Sequence, residues 1–194
     1  MYKYIENYAN EHDLSLTLHA LPFAREKHKR QLRKGPDGQR QPYITHPLQM
    51  ARHAIAMELT EDNLLAAILL HDVCEDCGVA PQELPVDEEV QEAVCLVTRV
   101  DGESKEKYYS QIRGNRIATL VKLIDRCHNV SQMSLAFSRE KLWKYIDETE
   151  RHILPLLMEV KVQWPEHEQQ YFLLEYQISS QLQSIKALLE REDL

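Results

Sequence analysis

The chain has 194 residues, 43% of them hydrophobic, which is enough for one domain with a sizeable core and short for two. Its formal net charge of −8 argues against a general nucleic-acid binder, because such proteins carry a basic face that displaces counterions from phosphates. The opening "MYKYIENYANEHD" lacks the apolar centre of a signal peptide, and no window approaches the roughly eighteen apolar residues of a membrane span, so a cytoplasmic protein with no membrane partner is expected. A small phosphorylated ligand in a locally basic pocket remains compatible with the charge.

Only 5 Gly and 8 Pro interrupt windows rich in Leu, Glu, Lys, Gln and Ala, which predicts an all-α fold of one domain over residues 1–194. In chain order, "LSLTLHALPFAREKHKRQLRK" has helical spacing, and the turn formers of "KGPDGQRQP" make a loop after it. "YITHPLQMARHAIAMEL" resumes as a helix, with Thr45 or His46 near its cap and Pro47 in the first turn, where a missing N–H costs nothing. "TEDNLLAAILLHDVCED" reads as one helix with Thr60 as N-cap, and its middle is apolar on nearly every side, so it should be central.

"GVAPQELP" is a loop or short turn, a helix begins at Asp87 and "DGES" ends it, and "KEKYYSQI" is a short helix. "RIATLVKLIDRCHNVSQM" is a second apolar helix with a polar end. "SREKLWKYIDETERHILPLLMEV" and "EHEQQYFLLEYQISSQLQSIKALLERE" are long amphipathic helices, the first kinked or divided by Pro155. Cys74, Cys77, Cys95 and Cys127 sit in apolar or helical segments and read as free thiols in a reducing compartment.

Charge following a buried run is the informative feature. In "AAILLHDVCEDC" the residues His71, Asp72, Glu75 and Asp76 come directly after five apolar ones, and charged groups leave water only when paired or bound to a metal. At about 100° per residue, Glu75, Asp72 and Asp76 lie about 40°, 100° and 140° from His71, on one half of the helix. His71 and Asp72 can then reach one divalent ion, with Glu75 and Asp76 beside it.

Two ligands seldom suffice. The remaining candidates are His46, at a helix start, and Asp125, which follows "ATLVKLI" as His71 follows "AAILL". Two imidazoles and two carboxylates leave coordination sites for water, the condition for hydrolytic metal chemistry. His128 lies at i+3 from Asp125 and reads as a neighbouring structural histidine, while His12, His19, His28, His53, His152 and His167 have no comparable company. "CEDC" has no second Cys pair and reads as two incidental thiols rather than a zinc or dithiol site.

The order His46, His71-Asp72, Asp125 resembles the HD superfamily of metal-dependent phosphohydrolases, and within it the hydrolase domain of RelA/SpoT-type alarmone enzymes, including the free-standing small alarmone hydrolases. The matching segments are "HKRQLRK", "QPYITHPLQMA", "AAILLHDVCED", "VCLVTRV" and "LVKLIDRCHN", across about residues 28 to 130. The resemblance implies one divalent ion, usually manganese, held by His46, His71, Asp72 and Asp125. It implies that Glu75 and Asp76 position and activate water, that Arg33, Lys34 and Asn129 meet the nucleotide, and that the substrate is ppGpp or pppGpp, cleaved at its 3′-diphosphate. Another phosphorylated nucleotide is the alternative substrate, and a noncatalytic alarmone-binding module the alternative class. The loop between Lys34 and Pro42 is longer than the family form. No synthetase segment follows, so a dedicated hydrolase is expected.

Overall fold

The computed structural model describes residues 1–35 and 38–191. Pro36 and Asp37 of the predicted loop and the last three residues of the chain lie outside the described residues. The chain divides into two compact units, Met1–Arg33 with Gln41–Lys122, and Lys34–Arg40 with Leu123–Leu194. The architecture is all-α, relieved by one two-stranded ribbon.

The first unit is built around α4 (Asp62–Leu70), in which every residue from Leu64 to Leu70 has no solvent exposure. Each buried Leu or Ile there contributes about 1.5–3 kcal/mol of burial free energy. Packed on α4 are α2 (Ser15–Lys27), α3 (Thr45–Ala56) and α6 (Glu88–Val97), with α1 (Tyr2–Glu11) on α2 and α7 (Lys105–Ile112) on α6. The apolar run thus makes the central helix that its composition predicts.

Several boundaries differ from the sequence reading. The helix predicted to reach Lys34 ends at Lys27, and Leu32–Lys34 forms strand β1 instead, paired with β2 (Arg40–Pro42). Between His28 and Lys34 the one apolar side chain is Leu32, itself 53% exposed, so a longer helix would have no face to bury. Backbone bonds close the hairpin instead, Tyr43 N–H to Gln31 C=O (2.9 Å) and Gly35 N–H to Gln39 C=O (2.8 Å).

Thr60 is not the cap of α4; Glu61 holds that position without a side-chain cap bond, and forms a two-point ion pair with Arg116. Asp62 caps a different helix. Its two carboxylate oxygens accept the N–H groups of Leu16 and Thr17, both at 2.8 Å, satisfying orphan donors in the first turn of α2. The helix predicted across 60–76 also breaks at His71-Asp72 and resumes as α5 (Val73–Cys77), which ends on Gly78 in the left-handed conformation, φ +65°. Asp87 and Ser104 cap α6 and α7 through Val90 N–H and Lys107 N–H, and Asn115 accepts from Ala118 N–H at the start of α8 (Arg116–Ala136).

The second unit contains the remainder of α8, then α9 (Arg139–Glu148), a π-type turn Thr149–Ile153, α10 (Leu154–Gln163) and α11 (Glu168–Arg191). The division predicted at Pro155 is present: the proline stands in the first turn of α10, and the wide turn precedes it. Tyr171, Leu174, Ile178, Leu182, Ile185 and Leu189 bury one stripe of α11. Arg126 is 2% exposed, yet engaged by Glu148 (2.7 Å), Thr149 Oγ1 (3.0 Å) and the ring of Tyr145 (3.9 Å to its centroid), so α8 is tied to α9 by a paired buried charge.

Candidate metal and catalytic site

Two imidazoles and a carboxylate converge in the first unit. His46 stands in the first turn of α3 and is 2% exposed; His71 ends α4 and is 5% exposed. Their ring centroids are 5.1 Å apart, and each offers a nitrogen within 4.8 Å of the other's. Asp72 Oδ2 lies 2.8 Å from His71 Nε2 and 3.7 Å from His46 Nε2. On an unbroken helix, adjacent side chains diverge by about 100°. The break at His71-Asp72 is what lets the carboxylate turn back to both rings.

The donor set fits a divalent cation. His71 Nδ1 stands 2.8 Å from the carbonyl of Ile68, and a carbonyl only accepts, so Nδ1 carries the proton and Nε2 of the neutral ring is an acceptor. Nε2 then faces a carboxylate oxygen, a second acceptor. Two acceptors so placed require a proton or a cation between them, and a backbone carbonyl behind the distal ring nitrogen is the arrangement that orients histidine ligands. Tyr43 donates its hydroxyl hydrogen to the same Asp72 Oδ2.

The two acids of α5 diverge. Glu75 is exposed and accepts the backbone N–H of Arg99 (3.2 Å). Asp76 accepts at Oδ2 from the Gln31 side-chain amide (2.7 Å), and the Gln31 amide oxygen lies 2.6 Å from Nδ1 of His28. His28, read from sequence as lacking functional company, is therefore two hydrogen bonds from Asp76. It is 1% exposed, its ring lies 4.8 Å from that of Tyr43, and Cys77 Sγ stands 3.6 Å from Nδ1. Burial holds its imidazole below the ordinary histidine value, against the opposing pull of the Gln31 bond and of the Asp72 and Asp76 charges.

Arg33 sits with its guanidinium 5.8 Å from the centre of the Tyr43 ring, on the side of the first unit that carries the metal-ready group. Lys34 ends β1, exposed, and is counted with the second unit. In that unit α8 carries Asp125, buried, whose Oδ1 accepts from Asn129 Nδ2 at 2.5 Å, one helical turn on. His128 points to another partner, Gln132 Nε2 at 3.0 Å.

Tyr43, Gln31 and His28 are the residues that sequence reasoning did not single out. All three lie inside the matching segments "HKRQLRK" and "QPYITHP", so the motifs contained them, while their roles needed the hairpin that brings residue 31 beside residue 76. Cys74, Cys77, Cys95 and Cys127 are free thiols. Burial raises the thiols of Cys74 and Cys127 to about 11 and about 12, which keeps both protonated and unreactive at neutral pH.

No protein-family model matches the chain. Curated relatives do. The guanosine-3′,5′-bis(diphosphate) 3′-pyrophosphohydrolase MESH1 of Xenopus tropicalis is 34% identical over 136 residues, covering 62% of this chain and 71% of the relative. The chain belongs to this 3′-pyrophosphohydrolase family. A probable GTP pyrophosphokinase of Mycobacterium leprae is 34% identical over 156 residues, and a guanosine-3′,5′-bis(diphosphate) 3′-pyrophosphohydrolase of Aquifex aeolicus 35% over 150. The matches cover 74% and 71% of this chain but only 19% and 20% of those longer proteins. A solved structure of a metazoan SpoT ortholog that hydrolyses ppGpp shares the fold, with a TM-score of 0.58 and 23% identity over 76% of this chain and 94% of that one.

Proposed function

We propose that this protein hydrolyses the 3′-diphosphate of ppGpp and pppGpp, releasing pyrophosphate, with one divalent ion, Mn²⁺, held by His46, His71, Asp72 and Asp125. The observation that carries the reading is the pair of buried imidazoles converging on one Asp72 oxygen, with the acceptor nitrogen of His71 turned toward it. Family membership and the match of "LVKLIDRCHN" support Asp125 as the fourth ligand. A divalent ion bound there supplies Lewis acidity and lowers the pKa of water.

The protein's own groups do the rest. Asp76 is a carboxylate held at one oxygen by Gln31, with its other oxygen available to take a proton from the attacking water. Glu75, on the same short helix, serves water positioning. Water adds to the phosphorus joined to the ribose 3′ oxygen, that P–O bond breaks, pyrophosphate leaves, and the ribose oxygen takes up a proton. Arg33 and Lys34 meet phosphate charge, the guanidinium by paired hydrogen bonds and the ammonium as a point charge. Asn129, bonded to Asp125, orients that carboxylate and lines the nucleotide site.

The test strips the purified protein of metal, restores Mn²⁺, and follows pyrophosphate release from ppGpp beside a panel of nucleoside mono- and diphosphates. Activity on ppGpp should return with the metal and fall about 100-fold or more in Asp72→Ala. Cleavage of another nucleotide with ppGpp left intact would keep the metal chemistry and remove the alarmone assignment; no cleavage of any would favour a binding module.

A further inference from the structure

We infer that His28 is a positioning residue for Asp76, acting through Gln31, so that the buried imidazole sets which face of the Gln31 amide meets the carboxylate. The inference rests on Asp76 serving the proposed hydrolysis. It assigns a task to a histidine and a glutamine that the metal chemistry leaves unused.

Donor and acceptor chemistry fixes the orientation of both groups. A carboxylate only accepts, so the Gln31 group 2.7 Å from Asp76 Oδ2 is the amide nitrogen, and the oxygen of that amide must face His28. At 2.6 Å from this oxygen, His28 Nδ1 must carry a hydrogen. The whole chain then has a single polarity, running from Nδ1–H to the amide oxygen and from the amide N–H to the carboxylate.

A ring with one proton, placed at Nδ1, has a bare acceptor at Nε2. That atom is buried and has no hydrogen-bond partner among the described residues. Leaving a buried acceptor unmatched is destabilising, so the tautomer is retained for what Nδ1–H does. Burial, which disfavours the doubly protonated ring, acts in the same direction. Reversal of the amide would turn its oxygen toward the Asp76 carboxylate, placing two acceptors against each other and pushing the acid away from its station.

Nothing else the structure describes holds the Gln31 amide in one orientation. Gln31 is half-buried at the start of the hairpin, where its backbone carbonyl accepts from Tyr43 N–H, so the main chain is anchored while the side chain can still rotate. His28, in the turn that ends α2, supplies the missing constraint. The distance from a reacting group that such a constraint controls is worth about 10- to 100-fold in rate.

The experiment measures kcat and KM for ppGpp with Mn²⁺ in His28→Phe, Gln31→Met, the double variant, and His28→Asn, whose amide N–H falls near the place of Nδ1. Because His28 acts only through Gln31, each single variant should lose about 10- to 100-fold in kcat with KM nearly unchanged. The double variant should lose no more than Gln31→Met alone, and His28→Asn should recover most of the rate. A merely structural role would instead lower thermal stability and multiply the losses in the double variant; multiplied losses, or full kcat in a folded single variant, overturn the inference.

Should His28→Phe fail to fold, His28→Asn against His28→Gln carries the same test, since Gln places its donor near Nε2 and should match Gln31→Met; equal rates in the two overturn the inference. An inactive wild type would remove the proposed function and this inference together. An active wild type with multiplied losses removes this inference alone.

Discussion

His28 is a histidine kept neutral among charges. Its neighbours Asp72 and Asp76 favour the imidazolium, yet burial outweighs them and lowers its pKa below the ordinary value near 6.5. The consequence for stability has a definite sign. Below pH 6.5 the unfolded chain takes up a proton at this histidine that the folded chain resists, so stability falls as pH drops from 6.5 toward the lower folded value. With metal removed, the thermal midpoint of the wild type should decline between pH 7 and pH 5 more steeply than that of His28→Asn, which has no titrating group there. Parallel declines in the two proteins would show that His28 contributes nothing to the slope. The slope of opposite sign belongs to Cys127, whose thiol burial raises from its ordinary value near 9 to about 12, so that its effect on stability begins only as pH rises through about 9.

At the scale of elements, Asp62 links α4 to α2 by capping the neighbour rather than its own helix. Both carboxylate oxygens are used, so Asp62→Ala should lower the urea-unfolding free energy by about 1–3 kcal/mol, and Asp62→Asn, which keeps one acceptor, by less. An unchanged midpoint in Asp62→Ala would mean that water replaces the cap without loss. The same helix pair explains why buried His71 is not needed as an apolar core residue. Residues 64–70 complete the apolar surface that α2, α3 and α6 need, and His71, the first residue beyond it, turns toward Asp72 and the His46 ring instead. In the second unit Arg126 shows how a charge enters a core at tolerable cost, with a carboxylate, a hydroxyl and an aromatic face all supplied by residues 145–149.

Over the whole molecule, a net charge of −8 must coexist with the anionic substrate proposed above. Lys27, Lys29, Arg30, Arg33, Lys34 and Arg40 lie between residues 27 and 40, so the repulsion has a local exception in the segment that carries the proposed phosphate contacts. Metal binding should be read out globally as well. An ion that binds only the folded chain stabilises it by about 2.7 kcal/mol at 100 times its Kd, which for a chain of this size raises Tm by about 5–10 °C. Thermal scans with Mn²⁺ should show this rise in the wild type and lose it in His46→Ala and Asp72→Ala. A rise that survives both substitutions would place the ion elsewhere.

Most of the helices, the central place of α4, the dividing role of Pro155 and the helix starts near Asp87 and Thr45 were legible from composition and periodicity, because burial of an apolar stripe is a local pattern written at 3.6-residue spacing. Helix α1 was not read from the sequence, and α3 starts on Ile44 with no side-chain cap rather than on Thr45 or His46. Membership of the pyrophosphohydrolase family was legible in the motifs. The approach of His46 to His71-Asp72 was expected from the motifs, while the hydrogen bonding between residues distant in sequence required the tertiary structure. The break at His71-Asp72, the reach of Asp62 to α2, and the hairpin that sets Gln31 against Asp76 each depend on a partner 29 or more residues away. Hydrogen bonds are directional and saturable, so which acceptor a donor meets is decided only when the folded chain has placed both, and periodicity carries no record of that choice.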